Sequence, residues 1–148
     1  MSARAWARQR GQKAKALDAL DRLPESETGK GLAVPLPFAD KAEYHQGLTN
    51  RQINHAIRAA PVEKRPIEGL HAIQHSVQRD RVEQYVEDPN LVEPGALNPK
   101  SKTPIDHPVE VERFGKRWLH DGHHRVTAEI LKGKKEASFR VVRLPDKP

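Results

Sequence analysis

One stretch restricts the fold of this chain more than any other, because residues 118–133 read as the end of a strand, a tight turn and a helix. Asp121-Gly122 is a dipeptide typical of turns. Beyond the turn, Val126 and Ile130 are four residues apart, so one side of the helix can face an apolar core. The stretch therefore predicts a helix whose N-terminus follows directly from the end of a strand.

The turn gathers five residues at the start of that helix: Asp121, Gly122, His123, His124 and Arg125. The first turn of a helix has unbonded backbone N–H groups, and the helix dipole favours an anion there. Because arginine stays charged and presents a planar fork of donors, Arg125 adds to a phosphate-binding arrangement. Two interpretations stay open for Asp121, which can either cap the turn or hold Mg²⁺ near bound phosphates.

Histidines are dense around the same turn, at His120, His123 and His124. Spacings of three and four can bring imidazole rings together around a metal ion. A zinc site would need a further ligand, such as Asp121, His107 or Asp106, and nothing in the spacing selects one. We favour hydrogen bonding of a phosphate by His124 over metal coordination.

Charge and cysteine content narrow the classes of function. The 26 basic and 20 acidic residues give a net charge of +6, which favours a nucleotide or nucleic acid as partner. The chain has no cysteine, which excludes disulfides, thiolate metal sites and a cysteine nucleophile. No apolar run approaches about 18 residues and the first residues lack an apolar signal core, so we expect a cytoplasmic protein without a membrane partner.

The first 47 residues read as a basic helical arm followed by a Pro/Gly-rich linker. Residues 3–23 are rich in alanine, with leucines spaced by three, and Pro24 ends that run. Residues 24–47 contain three prolines and three glycines, a composition typical of extended chain. Nucleic-acid binding is assigned to five basic residues of the arm, with a solubilising tail as the alternative: Arg4, Arg8, Arg10, Lys13 and Lys15.

The remainder, 48–148, reads as a folded domain with its core at 66–144. Thr49 opens a capping box with Gln52, and Ser76 is placed to cap a later helix. The predicted elements of the core are a strand at 67–73, a helix ending at 87, a hairpin of 109–114 and 117–120, a helix after 122 and a strand at 137–144. This order predicts an α+β fold, a small mixed sheet with packed helices, preceded by the basic arm.

The segment 66–144 resembles the ParB/sulfiredoxin-like superfamily in its ParB-like N-terminal form, also described as a ParB-like nuclease domain. The box Gly-x-x-Arg-x-x-Ala of ParB-type members is matched by Gly122, Arg125 and Ala128. The pattern also includes an Arg-Val-x-x-Tyr helix core at 81–85 and a Pro-Val-x-Val strand that starts at position 108. The resemblance covers a little over half of the chain.

The box departs from the ParB pattern at its middle positions. ParB-type members usually have Glu-Arg where this chain has His123 and His124. The resulting Asp-Gly-His-His-Arg spelling is closer to the branch that phosphorylates a small hydroxyl compound. Sulfiredoxins have a cysteine before His-Arg, and since this chain has His123 there, repair of cysteine sulfinic acid is excluded.

The resemblance implies a nucleotide site for ATP or CTP, with Mg²⁺ as the accompanying cofactor. The residues that it implies for nucleotide binding are Gly122, His123, His124, Arg125 and Gln74. It implies Asp121 as a catalytic metal ligand and Glu68, on the entry strand, as a general base. A solvated strand position is an equally open interpretation of Glu68.

The reaction is less restricted than the site, because members of the superfamily include NTPases, nucleases, small-molecule kinases and DNA-partitioning clamps. The alternative class is a non-enzymatic nucleic-acid-binding protein, or a phage structural or assembly protein, that keeps the fold and forms oligomers. A ββα nuclease ranks lowest, since its helix would need an asparagine and a distal histidine. A complete partition protein also has a helix-turn-helix domain and a dimerisation domain. The sequence shows neither pattern, so we expect a stand-alone domain of this type. The resemblance further implies a phage or plasmid origin and DNA as a further partner.

Overall fold

The structure is a computed structural model and describes residues 2–147. In chain order its elements are α1 (Ala3–Asp21), β1 (Leu32–Ala33), α2 (Ala42–His45), α3 (Asn50–Arg58), β2 (Val62–Pro66), β3 (Leu70–Ala72), β4 (Ser76–Val77), α4 (Arg79–Glu87), β5 (Val109–Arg113), β6 (Lys116–Asp121), α5 (His123–Leu131) and β7 (Glu136–Arg143). A long irregular segment joins α4 to β5, and prolines interrupt it at several positions.

Five strands form one mixed sheet in the order β2-β7-β5-β6-β3. β2 pairs antiparallel with β7, and β5 with β6, whereas β5 with β7 and β3 with β6 are parallel pairs. The β5–β6 hairpin turns through Phe114 and Gly115, with φ of 55° and 70°, the positive values that a two-residue hairpin turn needs. The predicted α+β class, with a small mixed sheet and packed helices, is confirmed, and the more specific ParB-like fold stays a prediction.

Helices cover both faces of this sheet. Trp118 and the residue after it in β6 point to opposite faces because side chains alternate along a strand. On one face, Ile53 and Ile57 of α3 pack in the same cluster as Trp118. On the other face, Val126 of α5 packs with Phe139 of β7. Burying each such side chain stabilises the fold by about 1.5–3 kcal/mol.

A third layer of helices lies on the outer side of α5. Ala16 and Leu20 of α1 are fully buried in one cluster with Val82 and Val86 of α4 and with Leu131 of α5. α1 and α4 therefore hold α5 from behind and fix the direction in which its N-terminus points. None of the helices among residues 2–147 has the length and apolar character that crossing a membrane requires.

The helix predicted for residues 3–23 is confirmed as α1, which ends two residues early. Residues 24–47, predicted as a linker, contain β1, which pairs with β4, and the short helix α2. Tyr44 of α2 is completely buried and its ring packs edge-on against Trp118. The division at residue 47 stays a prediction, although side chains from before it share clusters with side chains from after it.

The start of α3 is confirmed in detail. The Thr49 hydroxyl accepts from the backbone N–H of Gln52, and the Gln52 side chain accepts from the backbone N–H of Thr49. The strand β2 that follows was not predicted, because its sequence is charged and ends in Pro66. It lies at the edge of the sheet, where proline is tolerated and one face of the strand stays in solvent.

Two predicted boundaries in the core were wrong. Ser76 lies in β4 and caps no helix, since α4 begins at Arg79 with Gln78 as its N-cap residue. The strand expected at 67–73 is limited to β3, because a turn with Gly69 at a φ of 95° precedes it. Both β3 and β4 form by pairing with strands that are distant in the chain, and local periodicity does not encode such pairing.

Candidate functional site

The turn between β6 and α5 is the centre of the candidate site. Gly122 is the N-cap residue of α5 and has a φ of 98°, in the left-handed region that favours glycine. A methyl group at this position would lie 2.9 Å from both Cα and Cβ of Pro108. No side chain of the described residues caps α5 at Gly122, so the first backbone N–H groups of the helix can bind an external acceptor.

A cavity of about 280 Å³ lies in front of this helix terminus. We refer to it as the α5 cleft. The polar residues that line it include Gln74, Arg81, Asp121, His123, His124 and Arg125. The structure therefore brings together all but one of the residues that were predicted for catalysis and nucleotide binding.

His123 and His124 fasten the start of α5 to the neighbouring chain. His123 Nε2 accepts a hydrogen bond from the backbone N–H of Ile73 at 3.1 Å, and His124 Nε2 accepts from that of Gln78 at 3.0 Å. Each ring nitrogen must be unprotonated to accept. The pKa of both histidines is lowered to about 4, mainly by burial, and at His124 the nearby Arg81 guanidinium contributes to this lowering. Both rings are therefore neutral near pH 7.

This use of the histidines restricts what they can do for a ligand. The Nε2 of His123 and that of His124 already bind the backbone, so each ring keeps only its Nδ1–H as a donor. The predicted contact of the two histidines with phosphate stays a prediction, now limited to that one nitrogen of each ring.

Arg125 lies at the mouth of the cleft and is half-buried. Its Nη1 donates to the backbone carbonyl of Asp106 at 2.5 Å. The carboxylate of Asp106 is instead held by Arg140 through two hydrogen bonds of 2.9 and 3.0 Å, which keep its pKa well below the usual range. The guanidinium of Arg125 thus has a fixed position and no carboxylate partner among residues 2–147.

Arg81, in the first turn of α4, is a charged residue of the cleft that was not predicted as part of the site. Its side chain is exposed, lines the cleft and pairs with no carboxylate of the described residues. Arg81 begins the Arg-Val-x-x-Tyr helix pattern noted in the sequence, but only packing between α4 and α5 places it beside His124. A second positive charge therefore faces the same cavity as the N-terminus of α5.

Asp121 is exposed at the end of β6, and its Oδ1 accepts from the backbone N–H of Gly122 at 2.9 Å. Its second carboxylate oxygen has no hydrogen-bond partner among residues 2–147 and is available to a cation. The three histidines of the motif are directed to separate partners, since His120 Nδ1 lies 2.6 Å from the buried hydroxyl of Tyr44. Within residues 2–147 no three histidine, aspartate or glutamate side chains are placed to hold a metal ion together.

Gln74 and Glu68 differ in their relation to the cleft. Gln74 lines it, and its Nε2 donates to the backbone carbonyl of Ser76 at 2.8 Å. Glu68 is exposed in the turn before β3. Because β3 runs parallel to β6, Glu68 lies at the opposite end of these strands from Asp121. The structure does not bring the predicted general base to the cleft.

The five basic residues predicted to bind nucleic acid lie on α1, away from the α5 cleft. Arg4, Arg8, Arg10 and Lys15 are exposed, and Lys13 is half-buried. Trp6 is 54% exposed on the same helix, with the guanidinium of Arg10 4.7 Å from its ring centroid. The first half of α1 therefore presents an aromatic ring among positive charges.

Comparisons with known proteins add no relative to this description. The chain matches no protein-family model, no curated protein and no solved structure. The two features of the molecule that indicate a function are the geometry of the α5 cleft and the surface of α1.

Proposed function

We propose that this protein binds the phosphate groups of a nucleotide, ATP or CTP, at the N-terminus of α5. One observation carries the proposal: the uncapped N-terminus of α5 faces the same cavity as Arg81 and Arg125, two arginines that have no carboxylate partner among residues 2–147. Backbone N–H groups and guanidinium forks are the donors that phosphate oxygens prefer in proteins. The resemblance of the box to ParB-like proteins supports the same ligand class and remains part of the proposal.

The backbone at Gly122 supports this assignment. The left-handed turn at Gly122 leads the chain directly from β6 into the uncapped N-terminus of α5, and the contact with Pro108 leaves no room for a Cβ at that position. Neutral His123 and His124 add no charge but keep the terminus rigid through their bonds to Ile73 and Gln78. A rigid, preformed anion site loses less entropy when its ligand binds.

Asp121 suits a Mg²⁺ ion that accompanies the phosphates. Mg²⁺ is commonly held by one or two carboxylates together with phosphate oxygens and water, and Asp121 offers one free carboxylate oxygen beside the helix terminus. The metal would neutralise charge on the transferred or cleaved phosphoryl group. Turnover of the nucleotide is proposed on this basis, with Asp121 as the catalytic residue and without a role for Glu68.

The test is calorimetric titration of ATP and of CTP, each with and without Mg²⁺, into wild type, Arg81→Ala and Arg125→Ala. We expect saturable binding in wild type and a loss of about tenfold or more in each variant, since each removes charge-assisted hydrogen bonds. Arg51→Ala is the matched control, because Arg51 is an exposed arginine on α3, on the other face of the sheet.

Equal weakening by the Arg51 control would show that only net charge matters and would remove the argument for a site. Absence of binding of either nucleotide to folded wild type would overturn the proposal. Release of inorganic phosphate that Asp121→Asn abolishes would support turnover.

A second candidate function, nucleic-acid binding, is favoured by a separate observation. The first half of α1 carries the exposed Arg4, Arg8 and Arg10, and the guanidinium of Arg10 lies over the exposed ring of Trp6. Positive side chains contact phosphates, and aromatic rings stack on unpaired bases. We propose single-stranded nucleic acid as the partner of this surface.

Fluorescence anisotropy with a labelled single strand, measured at several salt concentrations, tests this second function. Replacing Arg4, Arg8 and Arg10 together by glutamine should reduce the salt slope by about 0.7 for each lost contact with a phosphate of the single strand. A slope that is unchanged in this variant would exclude α1 as the binding surface.

A further inference from the structure

An exposed pair of aromatic rings lies next to the α5 cleft. Phe38 and His75 stack with their centroids 3.9 Å apart and their planes inclined by 23°. Phe38 is 44% exposed, and both rings line a hollow of about 320 Å³. Because the Phe38 ring lies in an open hollow and not in the buried core, its apolar surface is available to a ligand.

Both rings are held on hydrogen-bonded backbone. Ala39 N–H donates to the carbonyl of Ala72 at 2.9 Å, and Ala72 N–H donates to the carbonyl of Pro37 at 2.7 Å, so the segment with Phe38 is attached along β3. The carbonyl of His75 accepts from the backbone N–H of Val34 at 3.2 Å. The pair therefore forms a preorganised platform.

Gln74 connects the hollow to the cleft. It precedes His75 in the chain and lines both cavities. Its Nε2 is bound to Ser76, which leaves Oε1 as a hydrogen-bond acceptor at the boundary between the two spaces. A single ligand that fills both cavities would pass along the amide of Gln74.

We propose that the hollow binds the base of the nucleotide whose phosphates lie at the N-terminus of α5. The inference rests on the proposed function for the phosphate end and on the Phe38–His75 pair for the other end. An aromatic ring can stack on any of the bases because every base has a π face. The carboxylate of Glu27, which also lines the hollow, is an acceptor for an exocyclic amino group such as those of adenine and cytosine.

The experiment compares ATP and CTP with inorganic tripolyphosphate, which has the phosphates and lacks the base and sugar. Calorimetric titrations use wild type, Phe38→Leu and His75→Leu, with Phe114→Leu as the matched control. Phe114 is exposed to a similar extent, 43%, and lies in the β5–β6 hairpin turn. Circular dichroism establishes that each variant is folded.

We expect wild type to bind a nucleotide about tenfold more tightly than tripolyphosphate, the size of effect that one stacked base contributes. Phe38→Leu and His75→Leu should remove most of this advantage and leave tripolyphosphate binding unchanged, while Phe114→Leu should change neither.

Two results would overturn the inference in different ways. If wild type binds tripolyphosphate and nucleotide equally, or if Phe38→Leu weakens both alike, the phosphate site stands and the base site is wrong. If wild type binds neither probe, the proposed function fails and the base site fails with it.

Discussion

Arginines are used in two different ways in this molecule, on the sheet and at the α5 cleft. On the sheet, Arg117 binds the carboxylate of Glu110 through two hydrogen bonds, of 3.0 and 2.6 Å, and Glu110 is completely buried. At the cleft, Arg81 and Arg125 have no carboxylate partner in the part of the chain that the structure describes. The charge is the same, and the surroundings differ.

The difference shows which charges hold the fold together and which are available for a ligand. Arg140 and Arg143 also bind carboxylates through two hydrogen bonds each, so the guanidinium forks of the sheet are engaged within the protein. At the cleft the donors face a cavity and a helix terminus that has no cap. An external anion is the acceptor that this arrangement lacks.

The largest effect is expected on the sheet side of this comparison. Glu110→Gln would leave Arg117, and Arg65 beside it, without their buried counter-charge, and should lower the free energy of unfolding by about 3–5 kcal/mol. Urea unfolding at pH 7 measures it. Glu112→Gln is the control, with a side chain 35% exposed, and should cost under about 1 kcal/mol. Equal losses would contradict the distinction between buried and exposed pairs.

On the cleft side, Gly122→Ala should lower the free energy of unfolding by about 2 kcal/mol or more, through backbone strain and overpacking. The contact with Pro108, 2.9 Å from the added methyl group, is responsible for part of this loss. Gly95→Ala separates the two causes, because Gly95 has a φ of 80° with nothing nearby, and should cost only about 1 kcal/mol. Thermal unfolding measures the loss of stability in both variants. Equal losses would show that the contact with Pro108 contributes nothing.

The histidines that fasten the cleft predict a pH dependence. Because the pKa of His123 and His124 is about 4 in the folded chain against 6.5 ordinarily, the unfolded chain binds more protons between these values. The free energy of unfolding should therefore fall as pH falls from about 6.5 to 4, by roughly 1–3 kcal/mol. His123→Gln should reduce this slope in urea unfolding, and His55→Gln, at an exposed histidine of α3, should not. A slope that survives His123→Gln would mean that other groups produce it.

The smallest effect is expected for the arginines of the cleft. Arg81→Gln should change the free energy of unfolding by less than about 0.5 kcal/mol, since Arg81 is exposed and makes no ion pair with the described residues. Arg117→Gln, measured beside it by urea unfolding, should cost several times more, because the buried Glu110 would lose two of its three hydrogen bonds and keep only Arg65 as a partner. Similar losses for the two variants would break the comparison between sheet and cleft.

Local sequence predicted the elements whose causes are local. The capping box at Thr49, the turn at Gly122 and the hairpin at 109–120 depend on residues within a few positions of one another, and each is confirmed. The edge strand β2 escaped prediction because pairing with β7, more than 70 residues later in the chain, stabilises it. Its own residues are mostly charged.

The candidate site was predicted as a set of residue types and only partly as an arrangement. Gln74, Asp121 and Arg125 were expected and line the cleft, whereas Glu68 was expected and lies elsewhere. Arg81 was missed because a helical arginine gives no local sign of the helix beside which it will pack.

A glycine turn that joins a strand to a helix, with phosphate-binding residue types clustered beside it, could be predicted from the sequence alone. The reason is that turn and capping preferences arise from the residues concerned. The binding of distant backbone N–H groups by His123 and His124 emerges only in the folded chain. So does the position of Arg81 and Arg125 in the cleft without a carboxylate partner among the described residues. Whether a donor or acceptor is satisfied depends on which segment reaches it in space, and the residue's own neighbours along the chain do not carry that information.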